Sequence, residues 1–148
     1  MNINENKRLE KWNKERKLDK LGFDKLNAIT LLLEEELELF GYKLPKENRE
    51  SLKKEFLNFL ERLKERQIIL PAEDKDEHYE IDALADIVVI AKGEIVKKNY
   101  DIDIVMDETL KEIESRTGKI ENGKFIKDVS EEAKKRWYKA DYEKAKRD

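Results

Sequence analysis

The chain has 148 residues, 39% apolar and 45% charged, with 32 Lys+Arg against 35 Asp+Glu and a formal charge of −3. It has no Cys and one His, His78, which excludes a disulfide framework, a thiolate zinc site, a thiol nucleophile and any site needing two imidazoles. Only five Gly and two Pro leave too few turn-formers for a sandwich or barrel turning every ~8–12 residues.

The length predicts a single domain over residues 1–148, with no internal repeat and no Gly/Ser/Pro-rich linker. Residues 1–22 read as a loosely held N-terminal helix, anchored only by Leu9, Trp12 and Leu18 and interrupted at Gly22. Asp24 is a helix N-cap, and Leu26, Ile29, Leu33, Leu37 and Phe40 recur at helical spacing until Gly41. Pro45 suits the first turn of a third helix, striped by Leu52, Phe56, Phe59 (or Leu60) and Leu63. Gln67–Glu77 is a loop around Pro71, and His78, at its end, reads as a surface residue.

The most apolar helix is predicted over His78–Lys98, followed by another over Ile102–Ser115. Residues 116–129, with two glycines, read as an irregular hairpin-like excursion. Ser130 with Glu131 and Glu132 caps a last helix carrying Ala133, Trp137, Ala140 and Tyr142. Periods near 3.6 dominate, so the expected class is all-α, a bundle of four to six helices.

Two acidic clusters stand out. In LLLEEELELF, Glu35 and Glu38 share a face flanked by leucines. A solvated Glu stripe pairing with lysines is the plain alternative. In EIDALADIVVIAKGEI, Asp82 and Asp86 are i and i+4 on one face, continued by Val89 and Gly93. A helix apolar all round is expected to be buried, so both aspartates would be desolvated together and need a metal ion or a cation. Gly93 would admit close approach of a helix or ligand, or is simply tolerated near the helix end.

If the two helices meet, Glu35, Glu38, Asp82 and Asp86 converge. An all-oxygen donor set selects Mg²⁺ or Mn²⁺, which favour phosphate oxygens as further ligands. Arg116, Lys119, Lys124 and Lys127 are candidate phosphate donors, or ordinary surface cations. Phe125, Trp137 and Tyr138 are candidates for stacking on a base, or else packing anchors.

The pattern EExxE (Glu34, Glu35, Glu38) followed by DALAD (Asp82 to Asp86) resembles the MazG-like all-α nucleoside triphosphate pyrophosphohydrolases. That superfamily includes helical dUTPases, dCTPases and phosphoribosyl-ATP pyrophosphohydrolases. MDETLKEIESRTGK, GKFIKD and WYKADY are similar to the third motif and tail of phage and bacterial members, so the resemblance runs from about Asp24 to Tyr142. It implies a dimeric or tetrameric bundle that binds Mg²⁺ and cleaves an NTP or dNTP to the monophosphate and pyrophosphate. Glu35 and Glu38 would be metal ligands and Asp86 would match the last Asp of the second motif. Many members have ExxD there, whereas Ala83 stands three before Asp86, so Asp82 or Glu80 takes the missing place. Glu34 or Glu38 would take the proton of the attacking water.

The expected partners are a nucleoside triphosphate and a second copy of the chain, as a homodimer or a dimer of dimers. Trp12 and the adjacent Trp137 and Tyr138 are expected at that contact. A pI near 5.5 argues against nucleic-acid polymers. The absence of a signal-peptide core and of any ~18-residue apolar run leads to the expectation of a cytoplasmic protein with no membrane contact. A rival reading is a non-catalytic acidic helical interaction protein.

Overall fold

The computed structural model describes residues 3–148; residues 1 and 2 of the expected N-terminal helix lie outside the described residues. The chain is mostly helical. Its helices are α1 (Ile3–Glu15), α2 (Lys25–Leu39), α3 (Arg49–Glu65), α4 (Tyr79–Lys97), α5 (Ile102–Glu114) and the single turn α6 (Glu131–Lys134). Two short strands, β1 (Gly118–Glu121) and β2 (Lys124–Lys127), pair antiparallel. The chain divides into two compact units. Gly22–Lys75 forms one, and the chain up to Leu21 with Asp76–Asp148 forms the other.

In the Gly22–Lys75 unit, the Asp24 carboxylate accepts from the Asn27 amide at 3.1 Å, the cap expected from sequence. α2 ends where Gly41 turns left-handed (φ +100°), with the Tyr42 amide donating to the Leu37 carbonyl at 2.8 Å. Pro45 precedes a 3₁₀ turn, Lys46–Asn48, that leads into α3. Leu52, Phe56, Leu60 and Leu63 form the half-buried stripe of α3, and Phe59 faces out. Arg49, 8% exposed, ties the start of α3 to α2. Its Nε lies 3.3 Å from the Glu34 carboxylate and its Nη2 donates to Asn27 Oδ1 at 2.7 Å.

In the other unit α5 is the hub. Among the described residues of this unit, Leu110 of α5, Ala133 of α6 and Ala145 near the end of the chain are the buried apolar ones. α1 is held more firmly than its few apolar residues suggest, because its links are polar. Arg8 bridges Asp107 at 2.7 Å and Glu114 at 2.5 Å, and Trp12 Nε1 donates to the Ile113 carbonyl at 3.2 Å. The nearly buried Glu5 meets Lys92 of α4 at 3.2 Å.

Residues 116–129 contain the hairpin expected there, with a regular antiparallel register. Asn122 and Gly123, both at positive φ (48° and 75°), close a two-residue hairpin in which Ile120 pairs with Phe125 and Glu121 with Lys124. Asn-Gly between short strands is the strongest local hairpin signal, since both residues tolerate the left-handed region that such a turn requires. The last helix, by contrast, stops after one turn. Beyond it the amides of Tyr138, Ala140 and Asp141 donate to Ser115 Oγ (2.8 Å), Glu112 (3.1 Å) and Glu108 (2.8 Å) of the α5 region. Those acceptors replace the helical carbonyls, so the tail is laid along α5 in irregular form.

Candidate functional site

The two acidic motifs fall in different compact units: Glu34, Glu35 and Glu38 on α2, Asp82 and Asp86 on α4. Glu35 and Glu38 are exposed, followed by the strongly exposed Leu39 and Phe40 (87% and 83%). Glu34 turns the other way. Its side chain is 13% exposed and is matched to Arg49. Arg49, at the start of α3, was missed in the sequence because nothing local marks a cation as the partner of an acid 15 positions earlier.

Asp82 and Asp86 are exposed as well, which corrects the expected joint burial. Within its own unit α4 has no buried residue at all. Leu84 and Ile95 are half-buried, while Ile81, Val88, Val89 and Ile90 are 51–67% exposed. An apolar helix is buried only where partners cover every side, and here uncovered sides remain. Gly93 has open space where a Cβ would stand, so among the described residues of its own unit no helix approaches it closely. His78, at the N-cap of α4, is exposed as expected. Among the described residues, no group of three or more His, Asp or Glu is arranged to hold a metal ion.

The four basic candidates do not form one cluster. Cross-strand pairing puts Lys119 and Lys124 on one face of the hairpin and Lys127 on the other. Lys119 pairs with Glu121 at 3.4 Å. Arg116 is spent locally: its guanidinium lies 3.9 Å from the centre of the Trp137 ring, and Nη2 is 3.6 Å from Glu112. Lys127 stands 5.7 Å from the same ring.

The aromatic candidates are also engaged. Phe125 meets Trp12 edge-on at 5.6 Å, and Tyr138 Oη donates to Glu108 at 2.5 Å. Trp137 and Tyr138 are not separated by a helical 100°, because the backbone there is irregular. Both find partners inside their own unit, so the helical-wheel argument for placing them at a subunit contact fails. Trp12 likewise has its partners within the chain.

Glu108 is a buried, multiply bonded carboxylate that was not singled out by sequence. It is 1% exposed, accepts from Tyr138 Oη and the Asp141 amide, and pairs with Lys111 at 3.1 Å and Lys144 at 3.8 Å. The Tyr138 hydroxyl, followed by the Asp141 amide, holds its pKa down to about 2. The same bond raises the pKa of Tyr138. This network fastens the tail to α5.

No protein-family model, curated protein or solved structure matches this chain. Among the described residues, no helix is long and apolar enough to cross a membrane.

Proposed function

We propose that the chain is a Mg²⁺-dependent nucleoside triphosphate pyrophosphohydrolase of the MazG-like type, acting as a homodimer or a dimer of dimers in the cytoplasm. The observation that supports it is the setting of the acids. Asp82 and Asp86 are exposed on the most apolar helix of the molecule, amid uncovered Ile81, Val89 and Ile90. An exposed apolar face invites a second layer of protein, and a carboxylate pair carried into that contact needs a compensating cation.

The donor set is all oxygen, suited to a hard cation. Glu35, Glu38, Asp82 and Asp86 would hold it, with Glu80 the substitute for Asp82. When bound, the ion supplies charge neutralisation at the triphosphate and a lowered pKa for attacking water. Glu38 is the better proton acceptor of the two acids considered, since it is exposed while Glu34 is matched to Arg49. Lys119 and Lys124, on one face of the hairpin, are the cations best grouped to meet a phosphate tail. Cleavage between the α- and β-phosphates rests on the motif resemblance.

The same uncovered α4 face supports a second reading, a non-catalytic protein that binds a partner helix there. Incubation with each common NTP and dNTP and Mg²⁺, with orthophosphate and pyrophosphate assayed separately, decides between them. Pyrophosphate with the monophosphate is expected. Orthophosphate alone refutes the bond assignment, and no turnover of any NTP or NDP favours the interaction protein.

A further inference from the structure

A cavity of about 480 Å³ lies between the end of α1 and the hairpin, wholly inside the unit that joins the two ends of the chain. Its lining includes Arg16, Lys17 and Lys119 against one carboxylate, Glu15, with Ile120 and Phe125 as apolar wall. Its volume falls in the range of about 300–1,000 Å³ typical of small-molecule sites. Ile120 and Phe125 are direct cross-strand partners, so their side chains share one face of the hairpin. The strands can pair this closely because position 118 is glycine; a Cβ there would overlap the Ile126 carbonyl.

Arg16 is the unusual element. Its side chain is only 14% exposed, and its guanidinium lies 4.8 Å from the Trp12 ring centre and 5.4 Å from that of Phe125. Nη2 donates to the Arg116 carbonyl at 2.7 Å, and Nη1 is a loose 3.8 Å from Glu15. The Nε–H is buried with no acceptor. Burial pulls the pKa of this group down from its ordinary value, yet an arginine stays charged at neutral pH. That Nε–H has no surface open to the cavity, so what a ligand meets there is the charge of a largely desolvated guanidinium, which an anionic acceptor stabilises. Lys119 leaves the opposite face of the hairpin and pairs with Glu121, so Arg16 and Lys17 against Glu15 supply the positive charge that suits phosphate, and a planar ring suits the Ile120–Phe125 wall.

We propose that this cavity binds a phosphate monoester carrying a planar aromatic group, with Arg16 and Lys17 on the phosphate and Ile120 and Phe125 against the ring. The site requires neither acidic motif, so it stands apart from the metal-dependent reading.

Trp12 is a built-in reporter, because it contacts both Arg16 and Phe125. The full chain carrying Trp137→Phe is titrated in EDTA with adenosine 5′-monophosphate, adenosine and inorganic phosphate, following Trp12 fluorescence. A saturable change with the monophosphate is expected, with adenosine and phosphate each about tenfold weaker or more, the value of one charge-assisted hydrogen bond.

Arg16→Gln tests the central contact but also loses the Arg116 carbonyl tie, so Lys17→Gly is the decisive variant. Lys17 sits at φ +58°, where glycine is at ease, so the fold is retained while the cation is lost. Affinity for the monophosphate should fall several-fold in Lys17→Gly. Equal response to adenosine and its monophosphate, unchanged affinity in Lys17→Gly, or a signal that appears only when Mg²⁺ replaces EDTA would overturn the site. Tighter binding of an oligonucleotide regardless of its end phosphate would replace it with a nucleic-acid surface.

Discussion

Arg49→Met removes the cation that ties α2 to α3 while keeping most of its volume. Arg49 is 8% exposed and the Glu34 side chain 13%, so both charged groups are largely out of water. The substitution deletes the bond to Asn27 (2.7 Å) and the Glu34 pairing (3.3 Å). Breaking a buried pair by removing one partner costs about 3–5 kcal/mol, against about 0–1 for an exposed pair. At about 3 °C per kcal/mol for a chain of this length, the thermal midpoint should fall by about 9–15 °C. The double variant Glu34→Gln/Arg49→Met should recover much of this loss, because no charge is left stranded. Urea and thermal unfolding followed by circular dichroism measure all four corners of the cycle. A loss below about 1 kcal/mol for Arg49→Met would place the pair with exposed ion pairs and refute the burial argument.

Three other outcomes are expected. The Glu108 pKa is held down to about 2, so this group contributes stability above the ordinary carboxylate range. That contribution is lost as pH falls from about 4.5 toward 2; Glu108→Gln should lower stability at pH 7 and flatten this acid limb, and an unchanged limb in urea titrations at several pH values refutes it. Mg²⁺ should raise the melting temperature by mass action where NaCl of equal ionic strength does not. Asp82→Asn should weaken that response more than Glu80→Gln, and the reverse ranking would put α4 into the site in another register. Light scattering should give a multiple of 17.7 kDa, and Val89→Lys on the exposed α4 face should shift it toward one chain; an unchanged mass refutes that face as the contact.

Helix positions were legible in the sequence because their causes are local. Asp24 caps α2 through its own third neighbour, and the 3.6-residue period of α3 and α5 is carried by adjacent turns. The hairpin was equally local: the Asn122–Gly123 signal was there to be read as a turn. The fate of residues 138–141 was not, because the amides of Tyr138, Ala140 and Asp141 are satisfied by Ser115, Glu112 and Glu108, more than 20 positions upstream. Only the folded chain decides whether a side chain or a helical carbonyl is the nearer acceptor.

The same division holds for the candidate site. Sequence alone put Glu35 with Glu38 and Asp82 with Asp86 on common helical faces, since i, i+3 and i+4 geometry needs no tertiary information. It also identified α4 as the most apolar helix. Tertiary structure decided the rest: Glu34 is matched to Arg49, Trp137 lies under Arg116, Tyr138 is bound to Glu108, and the aspartates of α4 are exposed. Periodicity specifies the direction in which a side chain leaves its helix. What meets it there depends on elements distant in the chain, and on burial that a single helix cannot provide for itself.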